Sequence, residues 1–120
     1  MVRALAEAQK RYRMANGEVA SSFSDLDISI PNDCTVGPID WYMERADCRK
    51  FALYLKAGHE QVMGSMKISD GAYLHIYYPT KEGLKATCSG NKGTRAAEIC
   101  KSYGGNLIYE GEMVDYEMPL

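Results

Sequence analysis

Four cysteines, Cys34, Cys48, Cys88 and Cys100, are the residues of this 120-residue chain with the most chemistry open to them. Thiolates at C-x-x-C spacing build the knuckles of zinc sites and the redox pairs of thiol oxidoreductases, and no two of these four stand that close. Their even number supports disulfides instead. Three pairings are possible. Cys34–Cys48 with Cys88–Cys100 is the expected one, because nearest-neighbour bridges join residues already close along the chain. Each would close a loop of about 13 to 15 residues and contribute about 3 kcal/mol by the chain-entropy relation. Such bridges imply maturation in an oxidising compartment. The alternative is four buried, reduced thiols in a cytosolic protein.

His59 and His75 are the only histidines, and they fall on different expected elements. A catalytic imidazole needs a nucleophile or carboxylate within about 3 Å. The local sequence offers no such constellation, so both are read as surface or packing residues. Gly90-Asn91-Lys92-Gly93-Thr94 has the composition of a phosphate loop but not its G-x-x-x-x-G-K-[ST] spacing, and a plain turn is expected. No catalytic residue, metal site or cofactor is therefore expected, and the chain is not read as an enzyme. Tyr73, His75 and Tyr77 alternate with Leu74, Ile76 and Tyr78. If the aliphatic set faces inward, the three rings project to solvent. They then form a contact surface for a neighbouring subunit or an external ligand, because tyrosine combines apolar area with a hydrogen-bonding tip. The plainer alternative is a loop that covers them.

Fourteen basic against sixteen acidic residues leave a net charge of -2. That balance argues against nucleic-acid and membrane-surface binding, which need a dominant positive patch. Arg3, Lys10, Arg11 and Arg13 make the first segment basic, and Glu110, Glu112, Asp115 and Glu117 make the last one acidic. These runs are either solvated surface or complementary charge between stacked subunits. No stretch approaches the roughly 20 apolar residues of a transmembrane helix, and the start carries no apolar signal-peptide core.

The elements that must position these residues follow from periodicity. Leu5, Ala8, Tyr12 and Ala15 share one stripe of a helix over residues 2–15, and Asn16-Gly17 supplies its stop. No Ser, Thr, Asp or Asn cap precedes the helix, so it is expected to be the latter part of a longer one. Residues 17–50 read as a long connection rich in Ser, Pro, Asn, Asp and Gly. Phe23, Leu26, Ile28 and Ile30 would anchor it, with Trp41 and Tyr42 beneath the first bridge. Period-two alternation then predicts strands over 51–56, 61–68 and 72–78, with Ser69-Asp70-Gly71 as a turn and Pro79 as a terminator. A short helix over 94–103 and a last strand over 106–110 complete the reading. The fold class is α+β in one domain: helix (1–16), αβ-loop (17–50), antiparallel meander (51–78) and disulfide-closed C-terminal region (79–120).

The run Ala6-Glu-Ala-Gln-Lys-Arg-Tyr-Arg-Met-Ala-Asn-Gly-Glu18, followed by Ser22-Phe-Ser-Asp-Leu-Asp-Ile-Ser-Ile-Pro31, resembles the region after the membrane helix in bacterial type IV pilins and type II secretion pseudopilins. Tyr12, Asn16 and Gly17 match that family's helix stop. Leu26, Asp27, Ile28 and Pro31 match its entry into the αβ-loop, and Ala97 to Gly105 is similar to its disulfide-closed end. The resemblance covers about residues 3–31 and 88–105. It implies a fibre subunit at the bacterial surface whose partners are copies of itself and related pilins, with an external or host ligand a further possibility. It also implies a helix packed on the sheet, its stripe against Leu53, Leu74 and Ile76. The family's prepilin signature is missing: a Gly before a Phe-Thr-Leu-x-Glu-like start and about 20 apolar residues. The expectation is a headpiece cut from a longer helix, its apolar half lying ahead of Arg3 and forming the sole membrane contact. A free-standing secreted binding or adhesion module is the alternative.

Overall fold

A computed structural model of the chain describes residues 2–40, 43–56, 61–68, 71–80 and 85–118. The first helix, α1, spans Val2–Asn16 and buries Leu5, Ala6, Ala8 and Gln9, with Val2 and Tyr12 packed beside them. These positions follow the i, i+3, i+4, i+7 pattern of a single core-facing stripe. Ala15, expected on that stripe, is exposed. Ten residues beyond Leu5, at about 100° each, it has drifted about 80° off the buried meridian. Gly17 ends the helix at φ 82°, donating its N–H to the Arg13 carbonyl at 2.8 Å.

Among the described residues eight strands form one antiparallel sheet. They are β1 (Thr35–Asp40), β2 (Met43–Asp47), β3 (Ala52–Lys56), β4 (Gln61–Lys67), β5 (Tyr73–Pro79), β6 (Thr87–Asn91), β7 (Leu107–Glu110) and β8 (Met113–Glu117). Their order is β1-β2-β3-β4-β5-β6-β8-β7, with the second helix, α2 (Arg95–Ser102), inserted between β6 and β7. The three expected meander strands, the short helix and the expected last strand over 106–110, here β7, are present. The sheet is larger than expected at both ends, however. The segment read as loop through residue 50 contains β1 and β2, and the C-terminal region adds β6 and β8 to the expected β7. Pro38 is tolerated in β1 because that strand is an edge.

The cross-strand row Leu53–Gly64–Ile76–Cys88–Tyr116 runs along the face that carries both helices. Eight strands at about 4.8 Å span roughly 34 Å, whereas a helix with its side chains is about 10 Å wide. One helix cannot cover such a face, and the core divides accordingly. Beneath α1 lie Leu53, Leu55, Val62 and Ala46 with Phe23 and Leu26 from the loop. Beneath α2 lie Leu74 and Cys88, which meet Ala96 and Cys100 of the helix itself, with Ile76 packed against them. Leu53 thus joins the α1 stripe as expected, while Leu74 and Ile76 belong to the second core. Gly90 brings α2 close to the sheet: a Cβ there would sit 2.7 Å from the Ala97 nitrogen and 2.8 Å from the Ala96 carbonyl carbon. Gly64 likewise makes room for Val2.

Residues 17–34 are tied down by specific bonds. The Gln9 side chain, 1% exposed, donates Nε2–H to the Ala20 carbonyl at 2.9 Å and accepts the Ala20 N–H on Oε1 at 2.8 Å. Arg11 forms a two-pronged pair with Asp27, at 2.8 and 2.7 Å. The hydrogen bond from Arg11, aided by its charge, holds the Asp27 carboxyl below the usual range. A single 3₁₀ turn, Phe23–Asp25, is capped by Ser22, and Glu44 on β2 accepts the Phe23 N–H at 2.7 Å. Phe23 and Leu26 are buried, and Ile28 and Ile30 pack against the same core, as their apolar character predicts. Trp41, Tyr42 and His59 lie outside the described residues.

Candidate functional site

Both disulfides pair as nearest neighbours. Cys34 bonds Cys48 with a Cα–Cα distance of 3.9 Å, and Cys88 bonds Cys100 at 5.4 Å. The first fastens the end of the αβ-loop to the edge of the sheet, and the second fastens α2 to β6. Both are structural ties rather than reactive thiols. Gly93 and Thr94 form a turn into α2, Thr94 serving as its cap: Oγ1 donates to the Asn91 carbonyl at 2.6 Å and accepts the Ala97 N–H at 3.4 Å. Gly90 lies in β6. The segment with the composition of a phosphate loop is therefore a strand end, a turn and a helix cap.

The charged runs find partners within the chain. Arg11 is committed to Asp27, Lys10 lies 3.8 Å from Glu7, Lys92 lies 3.3 Å from Glu110, and Lys85 lies 2.5 Å from Glu117. The acidic segment is not a tail but the β7–β8 hairpin. Internal neutralisation accounts for much of both runs and weakens the case for complementary charge between subunits.

The face of the sheet opposite the helices collects the remaining chemistry. Pleating sends alternate residues of each strand there, and the register aligns them in two rows. One row is Arg45–Tyr54–Met63–Tyr77–Thr87–Glu117 and the other Ser65–His75–Ser89–Asp115–Tyr109. The Arg45 guanidinium carbon sits 5.2 Å from the Tyr54 ring centroid, within range of a cation–π contact. Along β5 the Tyr73 and His75 rings lie 6.3 Å apart and near parallel, and His75 and Tyr77 lie 6.3 Å apart and tilted. The three rings thus share one face, as the alternation predicts. Tyr73 is 50% exposed, while His75 and Tyr77 are half-buried.

Tyr77 marks the edge of a cleft of about 360 Å³ lined also by Gln61, Thr87, Ser89, Ile108, Met113 and Asp115. Ser89, 3% exposed, donates Oγ–H to Asp115 Oδ1 at 2.5 Å and so anchors that oxygen of the carboxylate. Burial, and secondarily the Asp115 charge, push the Tyr77 phenol above its ordinary 10.0, so the group stays protonated well into the alkaline range. Apart from Tyr77, and Asp115 as a member of the acidic run, these lining residues were not singled out from the sequence. The signal available was the alternation of Met113, Asp115 and Glu117 with Val114 and Tyr116, which marks β8 as a strand with one face open. Among the described residues no group of three or more His, Cys, Asp or Glu could hold a metal ion. No described helix is long and apolar enough to cross a membrane.

Comparison of the chain with protein-family models, with curated proteins and with solved structures finds no match.

Proposed function

We propose that this domain is the headpiece of a fibre-forming subunit of the type IV pilin or pseudopilin kind, a structural protein rather than an enzyme. One observation carries the reading: an amphipathic N-terminal helix lies with its stripe on one face of an antiparallel sheet, and the loop that follows is clasped to that helix through Gln9–Ala20 and Arg11–Asp27. This order of helix, tied αβ-loop, sheet and disulfide-closed end is the one that the resemblance over residues 3–31 and 88–105 implies. Its partners are other copies of the chain and related subunits, and an apolar segment ahead of Arg3 forms the membrane contact before assembly. Two disulfides fit residence outside the cytoplasm, in the periplasm or on the cell surface.

A secreted binding module is the second reading, and the cleft on the helix-free face favours it. The two separate in one experiment. Fibres sheared from the surface of the native cell and digested for mass spectrometry contain peptides of this chain if it is a fibre subunit. Recovery of the chain solely in the unpolymerised supernatant overturns the fibre reading and leaves the module.

A further inference from the structure

The cleft bounded by Tyr77, Thr87, Asp115 and Ile108 has a built polar centre that the fibre reading leaves unused. Its volume of about 360 Å³ lies at the lower end of the range for small-molecule sites. Its walls are of two kinds. Tyr77, Ile108 and Met113 give apolar surface. Gln61 and Thr87 offer groups that both donate and accept, and Asp115 offers an acceptor, one oxygen of which the buried Ser89 hydroxyl anchors.

Among the described residues no lysine or arginine lines this cleft, so none of them would hold a phosphate or carboxylate there. The wanted ligand has hydroxyls that donate and accept in turn and a C–H face that lies against a ring. From Tyr77 the row continues outward along β5 through His75 to Tyr73, at ring spacings of 6.3 Å. It forms a strip on which successive units of a linear ligand can rest. We infer that the helix-free face binds a neutral oligosaccharide, with one residue seated in the cleft at Asp115 and Thr87 and the chain continuing over His75 and Tyr73.

Asp115 accepts from sugar hydroxyls, Thr87 and Gln61 supply the donors, and the aromatic strip covers the apolar faces of the rings. The site is independent of fibre formation, so the test uses the 120-residue chain in solution. The ¹⁵N-labelled protein is titrated with the six-residue oligomers of glucose (β-1,4), xylose (β-1,4) and N-acetylglucosamine. A heparin hexasaccharide, inorganic phosphate and spermine serve as charged controls. The expected result is saturable shifts at Tyr77, Thr87, Ser89 and Asp115 with at least one neutral oligomer at millimolar concentration or below. Asp115→Asn, which preserves the shape of the side chain, and Tyr73→Ala, at an exposed position, each weaken that binding about fivefold to tenfold while leaving the remaining spectrum in place. The inference is overturned if no neutral oligomer produces such shifts at millimolar concentration. It is equally overturned if a charged control binds more tightly, or if both variants bind as the parent does. None of these outcomes bears on whether the chain is found in fibres.

Discussion

Replacing Gln9 by leucine tests the join between helix and loop. Gln9 and Ala20 are each 1% exposed, and the two hydrogen bonds between them, at 2.9 and 2.8 Å, satisfy one donor and one acceptor of the Ala20 backbone. Leucine nearly fills the volume but can bond to neither group. Each orphaned buried group costs about 1–3 kcal/mol, partly offset by burying a more apolar side chain, whose gain is about 1–2 kcal/mol. For the two groups together the expected net loss is therefore about 1–4 kcal/mol, a large share of the 5–15 kcal/mol typical of a domain. Urea unfolding followed by circular dichroism reads it as a lower midpoint at unchanged slope.

Gln9→Glu sharpens the test. A protonated carboxyl can reproduce the donor to Ala20, whereas a carboxylate would face that carbonyl with a second negative oxygen. The folded-state pKa of the new group must then exceed its unfolded value of about 4.3. Its contribution is fully present below that value and is lost as pH rises through the raised folded pKa. The variant should be near the parent at pH about 4 and well below it at pH about 8. A Gln9→Leu protein within about 0.5 kcal/mol of the parent, or a Gln9→Glu protein with no added pH dependence, would refute the buried clasp.

Gly90→Ala places a methyl group against backbone atoms of α2, which cannot rotate away as a side chain can. A loss of about 1–3 kcal/mol in urea unfolding is expected. Removing the bridges separately, as Cys34→Ser/Cys48→Ser and Cys88→Ser/Cys100→Ser, should cost about 3 kcal/mol each, given sequence separations of 14 and 12. Alkylation before and after reduction, read by mass, checks that no free thiol precedes reduction. Because Tyr77 titrates higher in the folded than in the unfolded state, its contribution is intact below pH 10.0 and is lost as pH rises through the folded value. Phenolate absorbance should show Tyr77 titrating late, and Asp115→Asn should shift it earlier while leaving the larger effect of burial.

Much of the fold was legible in the sequence, and the strands it hid are those on which no clear alternation is imposed. Strands β3 and β5 alternate because they lie in the middle of the sheet with one face under the helices, and β4 between them alternates less strictly, burying Val62, Met63 and Gly64 in succession. Strand β1, Thr-Val-Gly-Pro-Ile-Asp, is an edge with Val36 and Ile39 both about half exposed, so no period-two pattern is imposed on it. Strand β2 buries one residue, Ala46, among charged ones, and β6 uses Cys88, Ser89 and Gly90 where α2 presses close. Small residues there read as turn rather than strand. Gln9 was hidden for a different reason. A glutamine in a helix is ordinarily a surface residue, and its burial depends on the return of Ala20, eleven residues later, to meet it. The contact face was half visible: alternation put Tyr73, His75 and Tyr77 together. The approach of Thr87, Ser89 and Asp115 to them depends on β6 and β8, whose small and acidic residues have the character of a turn and a charged tail.

The proposal that this domain heads a fibre subunit is tested most directly by the N-terminal sequence of the mature protein from its native cell. A start of the Phe-Thr-Leu-x-Glu kind, preceded in the gene by Gly and followed by about 20 apolar residues that run into Arg3, is the result the account predicts. A mature start close to Arg3, left by removal of a cleavable signal peptide, would contradict it.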